Sequence, residues 1–146
     1  MAQNDRELDE AKKQLLSEIE KRAAFDNKWR ERNYHFAQLT IWASVMASLA
    51  SSIAVAVGKL PAWFVAILAA IPAFMAVING KFLFYQRSRW HGAEFLNLQE
   101  LAHKLRFQGA SAADVSAEYC KLRRESEPHY PGFGDEVVSK IPKKKA

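Results

Sequence analysis

The hydrophobic positions of this chain change their period twice. From Asp5 to about Asn33, Leu8, Leu15, Ile19, Ala23 and Trp29 recur at helical spacing among alternating charges, which predicts an amphipathic helix with a thin apolar stripe. Asn4 or Asp5 suits its N-cap, and acidic residues in the first turn complement the helix dipole. The stripe is too thin for an independent core, so it predicts packing against another arm, another subunit or a headgroup layer. Periodicity then gives way to two uncharged apolar runs, Phe36 to Val57 and Leu60 to Gly80, separated only by Gly58 and Lys59. Each exceeds the ~18 residues that mark a spanning helix, and a rise of ~1.5 Å per residue carries each across a hydrocarbon core of ~30 Å. The pattern predicts a membrane hairpin.

Helical spacing returns after the second run. Lys81 to Phe107 places Phe95, Leu98, Leu101, Ala102 and Leu105 on one side, with Gly109 as the stop. Ser111 followed by Asp114 resembles a capping box, opening a short helix with Val115, Tyr119 and Leu122 on its apolar face. The prolines and glycines of Pro128-His129-Tyr130-Pro131-Gly132-Phe133-Gly134 then break regular structure, and Lys143, Lys144 and Lys145 close a basic tail that this reading leaves disordered. The expected fold class is all-α: an N-terminal helical arm (1–35), a two-helix transmembrane hairpin (36–80), a helical pair (81–127), and a loop with a tail (128–146).

Composition alone conceals this plan. A charged fraction of 25% describes an ordinary soluble domain, because polar arms dilute the two apolar runs. Within 146 residues, the room left outside the hairpin holds no large catalytic core. The acidic Met1 to Glu10 lacks the pattern of a cleavable signal peptide, so the first run is expected to persist. Eight Lys or Arg precede Phe36, one (Lys59) lies in the loop and twelve follow Gly80, which places both termini in the cytoplasm. Trp29, Tyr34, Tyr85 and Trp90 at the inner boundary and Trp63 at the outer one fit as interface anchors. Cys120 is single, which excludes an intrachain disulfide.

Small residues follow a register within the runs. Ala43, Ala47, Ala50 and Ala54 in the first, and Ala62, Ala66, Ala69, Ala73, Ala76 and Gly80 in the second, step by fours and threes. Nine of the twelve alanines in the two runs obey this spacing, which argues against scatter and for a packing seam on each helix. A hydroxyl stripe of Thr40, Ser44, Ser48 and Ser52, or Ser51 in its last place, lies on another face. It either lines water or faces a subunit, or each hydroxyl bonds back to its own helix. Asn79 either bonds across helices or reaches the headgroups, and Pro72 removes one backbone donor. Neither run contains an ionisable residue, so a proton relay or charged ring in the membrane has no candidates.

Other chemistry finds no support. His35, His91, His103 and His129 lack ligand spacing, so no metal site is expected and each reads as a surface or interfacial residue. Gly132-Phe133-Gly134 has no strand before it to make a nucleotide loop, and no nucleophile elbow occurs. No enzyme activity and no cofactor are expected. The net charge of +5 lies beside the spans and is interleaved with Glu94, Glu100, Glu118, Glu125 and Glu127, so a membrane surface fits better than nucleic acid. The terminal lysines either touch anionic lipid or remain solvated.

The layout resembles the SLATT family of small bacterial two-span proteins. The resemblance rests on the N-terminal helix, the run Lys28-Trp29-Arg30-Glu31-Arg32-Asn33-Tyr34 entering the first span, the tight hairpin, and the helical pair after Gln86 to Trp90. It covers nearly the whole chain and is architectural. It implies a multi-pass protein of the bacterial plasma membrane, acting in prokaryotic conflict systems as a homo-oligomeric pore or channel triggered by a soluble sensor or nucleotide signal. The alternative is a passive anchor or adaptor that docks a soluble partner through Val115, Tyr119, Leu122 and the loop from Tyr130 to Phe133.

Overall fold

A computed structural model describes residues 2–132, with side chains from residue 8 onward. Every element described is helical: α1 (Ala2–Val57), α2 (Ala62–Phe82), α3 (Phe84–Phe107), α4 (Ala112–Ser126) and a 3₁₀ turn at Glu127–His129. Phe133, Gly134 and the terminal lysines lie outside the described residues.

α1 is one continuous helix of 56 residues. No proline or glycine occurs before Gly58, so nothing in the backbone chemistry separates the charged arm from the first apolar run. Asn4 and Asp5 accordingly fall inside the helix and not at its start. The chain divides into two compact units, one of Met1–Glu31 with Arg87–Tyr130, the other built on Arg32–Gln86. The arm and the helical pair, expected as separate segments, therefore form one body.

That first unit is a small helical bundle. Ile19 and Ala23 of α1, Leu98, Leu101 and Leu105 of α3, and Val115 and Tyr119 of α4 form its buried core, flanked by Leu15, Leu16, Phe95, Ala102 and Leu122. The thin stripe of the arm is completed by two other helices. Gly109 adopts φ +67, a left-handed conformation that suits a residue without Cβ, and ends α3. Ser111 caps α4 by accepting the backbone N–H of Asp114 at 3.1 Å. Gly92 admits the Arg30 side chain, which a Cβ there would meet at 3.2 Å. Ser88 Oγ donates to the Arg30 carbonyl at 3.0 Å, tying α3 to α1. On the surface, Lys104 bridges to Glu118 at 2.7 Å and Arg106 pairs with Glu20.

The second unit is the apolar hairpin. Gly58, at φ +67, returns its N–H to the Ala54 carbonyl, and Pro61 precedes α2, accepting from Phe64 at 3.0 Å. α2 runs through Pro72 and ends at Phe82, where Leu83 turns left-handed (φ 51) and donates to the Asn79 carbonyl at 3.0 Å. This break was not expected, because Leu83 has a Cβ and its conformation costs about 1 kcal/mol. Phe84 stacks with Phe82 at 5.4 Å and with Phe36 at 5.5 Å, closing the foot of the hairpin.

The two apolar helices do not pair small face to small face. α1 covers Ala37, Thr40, Ala47 and Ala54, with Ala43, Ser44 and Ser51 half-covered and Ala50 exposed. The half-covered positions of α2 are Val65, Leu68, Ile71, Pro72, Met75, Ile78 and Asn79. Ala62, Ala66, Ala69, Ala73, Ala76 and Gly80 are all exposed, which corrects the seam expected on α2. Volume explains the choice, because large side chains opposite small ones fill the space between two helices.

Candidate functional site

The apolar stripes of the bundle become polar toward one end. On α1 the core positions Leu15, Ile19 and Ala23 continue to Asp26, fully buried three residues on. On α3 the register Leu105, Leu101, Leu98 continues backward through Glu94, His91 and Ser88, all buried. Helical spacing thus puts three polar side chains of α3 and a carboxylate of α1 where leucines would otherwise pack.

Burial makes pairing obligatory for such groups. His91 Nδ1 lies 2.8 Å from Asp26 Oδ1, and that ring nitrogen donates to the carboxylate. Asp26 Oδ2 faces Arg22 Nε at 3.1 Å, an ion-pair distance whose alignment falls short of a hydrogen bond. Glu94 sits beside them. Burial pushes its carboxyl above the usual carboxylate range, reinforced by nearby Asp26 and opposed by a hydrogen bond with Ser126 and by Arg22 and His91.

Aromatic rings surround this polar floor. Trp29 stacks on His91 at 6.3 Å, and Trp90 meets His91 and Tyr130 edge-on at 4.9 Å each. Trp90 Nε1 donates to the Ser126 carbonyl at 3.3 Å, fixing the indole against the end of α4. The result is a cleft of about 460 Å³ within the first unit, lined by residues of α1, α3, α4 and the 3₁₀ turn. Clefts of this size with apolar walls and a few convergent polar groups are the usual form of a small-molecule site.

No family model, curated protein or solved structure matches the chain. The site is therefore read from its own geometry.

None of the residues singled out in the apolar runs contributes to the cleft. Thr40 Oγ1 donates to the Ala37 carbonyl, Ser44 to Thr40, Ser48 to Ser44 and Ser52 to Ser48, at 2.8 to 3.0 Å. Thr40 is buried, Ser44 half-buried, and Ser48 and Ser52 exposed. Asn79 is half-buried, with its carbonyl engaged by Leu83. Tyr34, Trp63 and Tyr85 are exposed on the second unit. Trp29 and Trp90, expected as interface anchors, line the cleft of the first. His91 is not a surface histidine and Glu94 is not a solvated charge; both are buried because the leucine register of α3 passes through them. Extending that register backward past Leu98 is the signal that would have found them. Among the described residues, no group of histidine, cysteine and acidic side chains could hold a metal ion.

Proposed function

We propose that the chain is an oligomeric integral membrane effector, whose hairpin crosses the bilayer and whose helical bundle lies in the cytoplasm and governs assembly. The observation that carries the reading is the bareness of the apolar helices. Not one residue in the most apolar eighteen-residue window of α2 is buried, and only 11% of the corresponding window of α1 is. The core helix of a soluble protein is mostly covered. Here Leu39, Trp42, Met46, Leu49, Ile53, Trp63, Phe74 and Val77 are all exposed, an apolar surface far too continuous for water and suited to lipid. The Lys and Arg distribution favours both termini on the cytoplasmic side.

Assembly follows from the outward row on α2. Helices in lipid associate through close packing of small residues, and Ala62, Ala66, Ala69, Ala73, Ala76 and Gly80 remain available to another copy. On this reading a ring of hairpins encloses a conduit lined by the exposed Ser48 and Ser52, and it disrupts the membrane when a partner or small signal acts on the bundle. A role in a prokaryotic conflict system belongs to the same proposal, on the resemblance alone.

One observation favours the alternative of a passive anchor. Each hydroxyl of the Thr40 to Ser52 stripe is satisfied within its own helix, so none requires water. Of the docking face that alternative names, Val115 and Tyr119 are buried in the bundle core, while Leu122 is half-buried and Tyr130 exposed. Native mass measurement in lipid nanodiscs separates the two. A discrete oligomer of about four or more copies that conducts ions in liposomes supports the effector. A monomer or dimer, unchanged by candidate triggers, leaves the anchor.

A further inference from the structure

Glu94 is a buried carboxylate that makes no salt bridge among the described residues, although Ser126 hydrogen-bonds to it and Arg22 and His91 lie near enough to favour its charge. It is 7% exposed and lines the cleft, whereas acidic side chains are almost never covered to this degree unless paired. Among the described residues, the ion pairs engage Asp26, Glu20, Glu100, Glu118 and Glu125, and none engages Glu94. Of the two guanidiniums lining the cleft, that of Arg22 is already committed. Arg22 pairs with Asp26 and lies over the Phe25 ring at 5.0 Å.

The walls suit positive charge equally well. Phe25, Trp29, Trp90 and Tyr130 all line the cleft, and the negative face of an aromatic ring attracts a cation within about 6 Å. Two of these rings already hold one, Arg22 over Phe25 and Arg87 over Tyr130 at 5.6 Å. Burial raises the Glu94 carboxyl, and an occupant carrying positive charge would relieve the cost of ionising it.

We propose that this cleft binds a small alkylated ammonium or guanidinium cation, with Glu94 as counter-charge and Phe25, Trp29, Trp90 and Tyr130 as its aromatic walls. The site is independent of whether the hairpins assemble. A soluble metabolite or a lipid headgroup could each supply the cation.

The experiment uses the full chain carrying 5-fluorotryptophan in phosphatidylglycerol nanodiscs, which contain no ammonium headgroup. Of the four tryptophans, Trp29 and Trp90 line the cleft, and Trp42 and Trp63 serve as internal controls. Choline, tetramethylammonium and methylguanidinium are titrated against the neutral choline isostere 3,3-dimethyl-1-butanol and against inorganic phosphate. A saturable shift of the Trp29 and Trp90 resonances alone, with a cation and not with the isostere, supports a soluble ligand. The same shift only when phosphatidylcholine replaces part of the lipid supports the headgroup. Glu94→Gln, which keeps the shape of the side chain, is expected to weaken the response about ten-fold, as for loss of a charged hydrogen-bond partner, with an unchanged thermal unfolding profile or a more stable one. No saturable shift with either source, an equal response to the neutral isostere, undiminished binding by Glu94→Gln or a preference for phosphate overturns the proposal.

Discussion

His91 Nδ1 and Asp26 Oδ1 meet at 2.8 Å across 65 residues of chain, both side chains almost wholly buried. The contact joins the charged arm of α1 to α3 at the point where the core stripes of both helices turn polar. A buried pair of this kind contributes little over a well-packed apolar substitute, but removing one partner leaves the other stranded. Asp26→Ala is therefore expected to destabilise the bundle by about 3 kcal/mol or more, since His91 loses its acceptor and Arg22 its counter-charge. Chemical denaturation of the full chain in detergent, followed by tryptophan fluorescence, checks this. A double-mutant cycle with His91→Ala should show strong coupling, and additive effects would mean that the pair acts as two independent packing groups.

Glu94 makes stability depend on pH in a stated direction. Its folded carboxyl is raised above the usual carboxylate range, chiefly by burial, so the folded state binds its proton more tightly than the unfolded chain does. That contribution is fully present below the unfolded value and is lost as pH rises through the folded one. Glu94→Gln is expected to match the parent in acid and to become progressively more stable than it toward neutral pH. Melting curves of the two proteins from pH 4 upward supply the test. A gap between them that stays constant with pH would refute it.

Ser111 holds the start of α4 through the Asp114 N–H. Loss of that cap in Ser111→Ala should cost about 1 kcal/mol, and Ser111→Gly only a few tenths. Amide hydrogen exchange should place the loss in the first turn of α4. Val115, buried one turn on, should then lose protection before the leucines of α3 do.

The hairpin offers two substitutions with separable effects. Ala73→Leu adds bulk to the outward row of α2, so the proposed oligomer should fall to smaller species by native mass while helicity is unchanged. Ser48→Leu removes an exposed hydroxyl that bonds only to its own helix, so folding and subunit number should persist. Liposome flux then reports on the stripe. Loss of flux places Ser48 on the conduit, and undiminished flux removes it from there.

Tyr119 shows why a face read from sequence does not reveal what covers it. Its spacing with Val115 and Leu122 marks an apolar side of α4, and the same spacing serves a docking surface or a core. Buried in one cluster with Ile19 and Leu98, it is core, and Tyr119→Ala should unfold the bundle before it tests any partner.

Local chemistry determined the helical elements and most of their ends. Unbroken helix formers carry α1 to Gly58, the Ser111 cap opens α4, and Gly109 supplies the left-handed stop that residues with a Cβ resist. The two apolar runs likewise announce themselves, since their length and lack of charge are properties of consecutive residues. Pairing was decided only in three dimensions. Whether the alanines of α2 face α1 or the outside depends on the volumes opposite them, and whether Asp26, His91 and Glu94 lie in water or in a core depends on helices far away in the chain. Helical periodicity specifies which residues share a face; burial is a property of what that face meets.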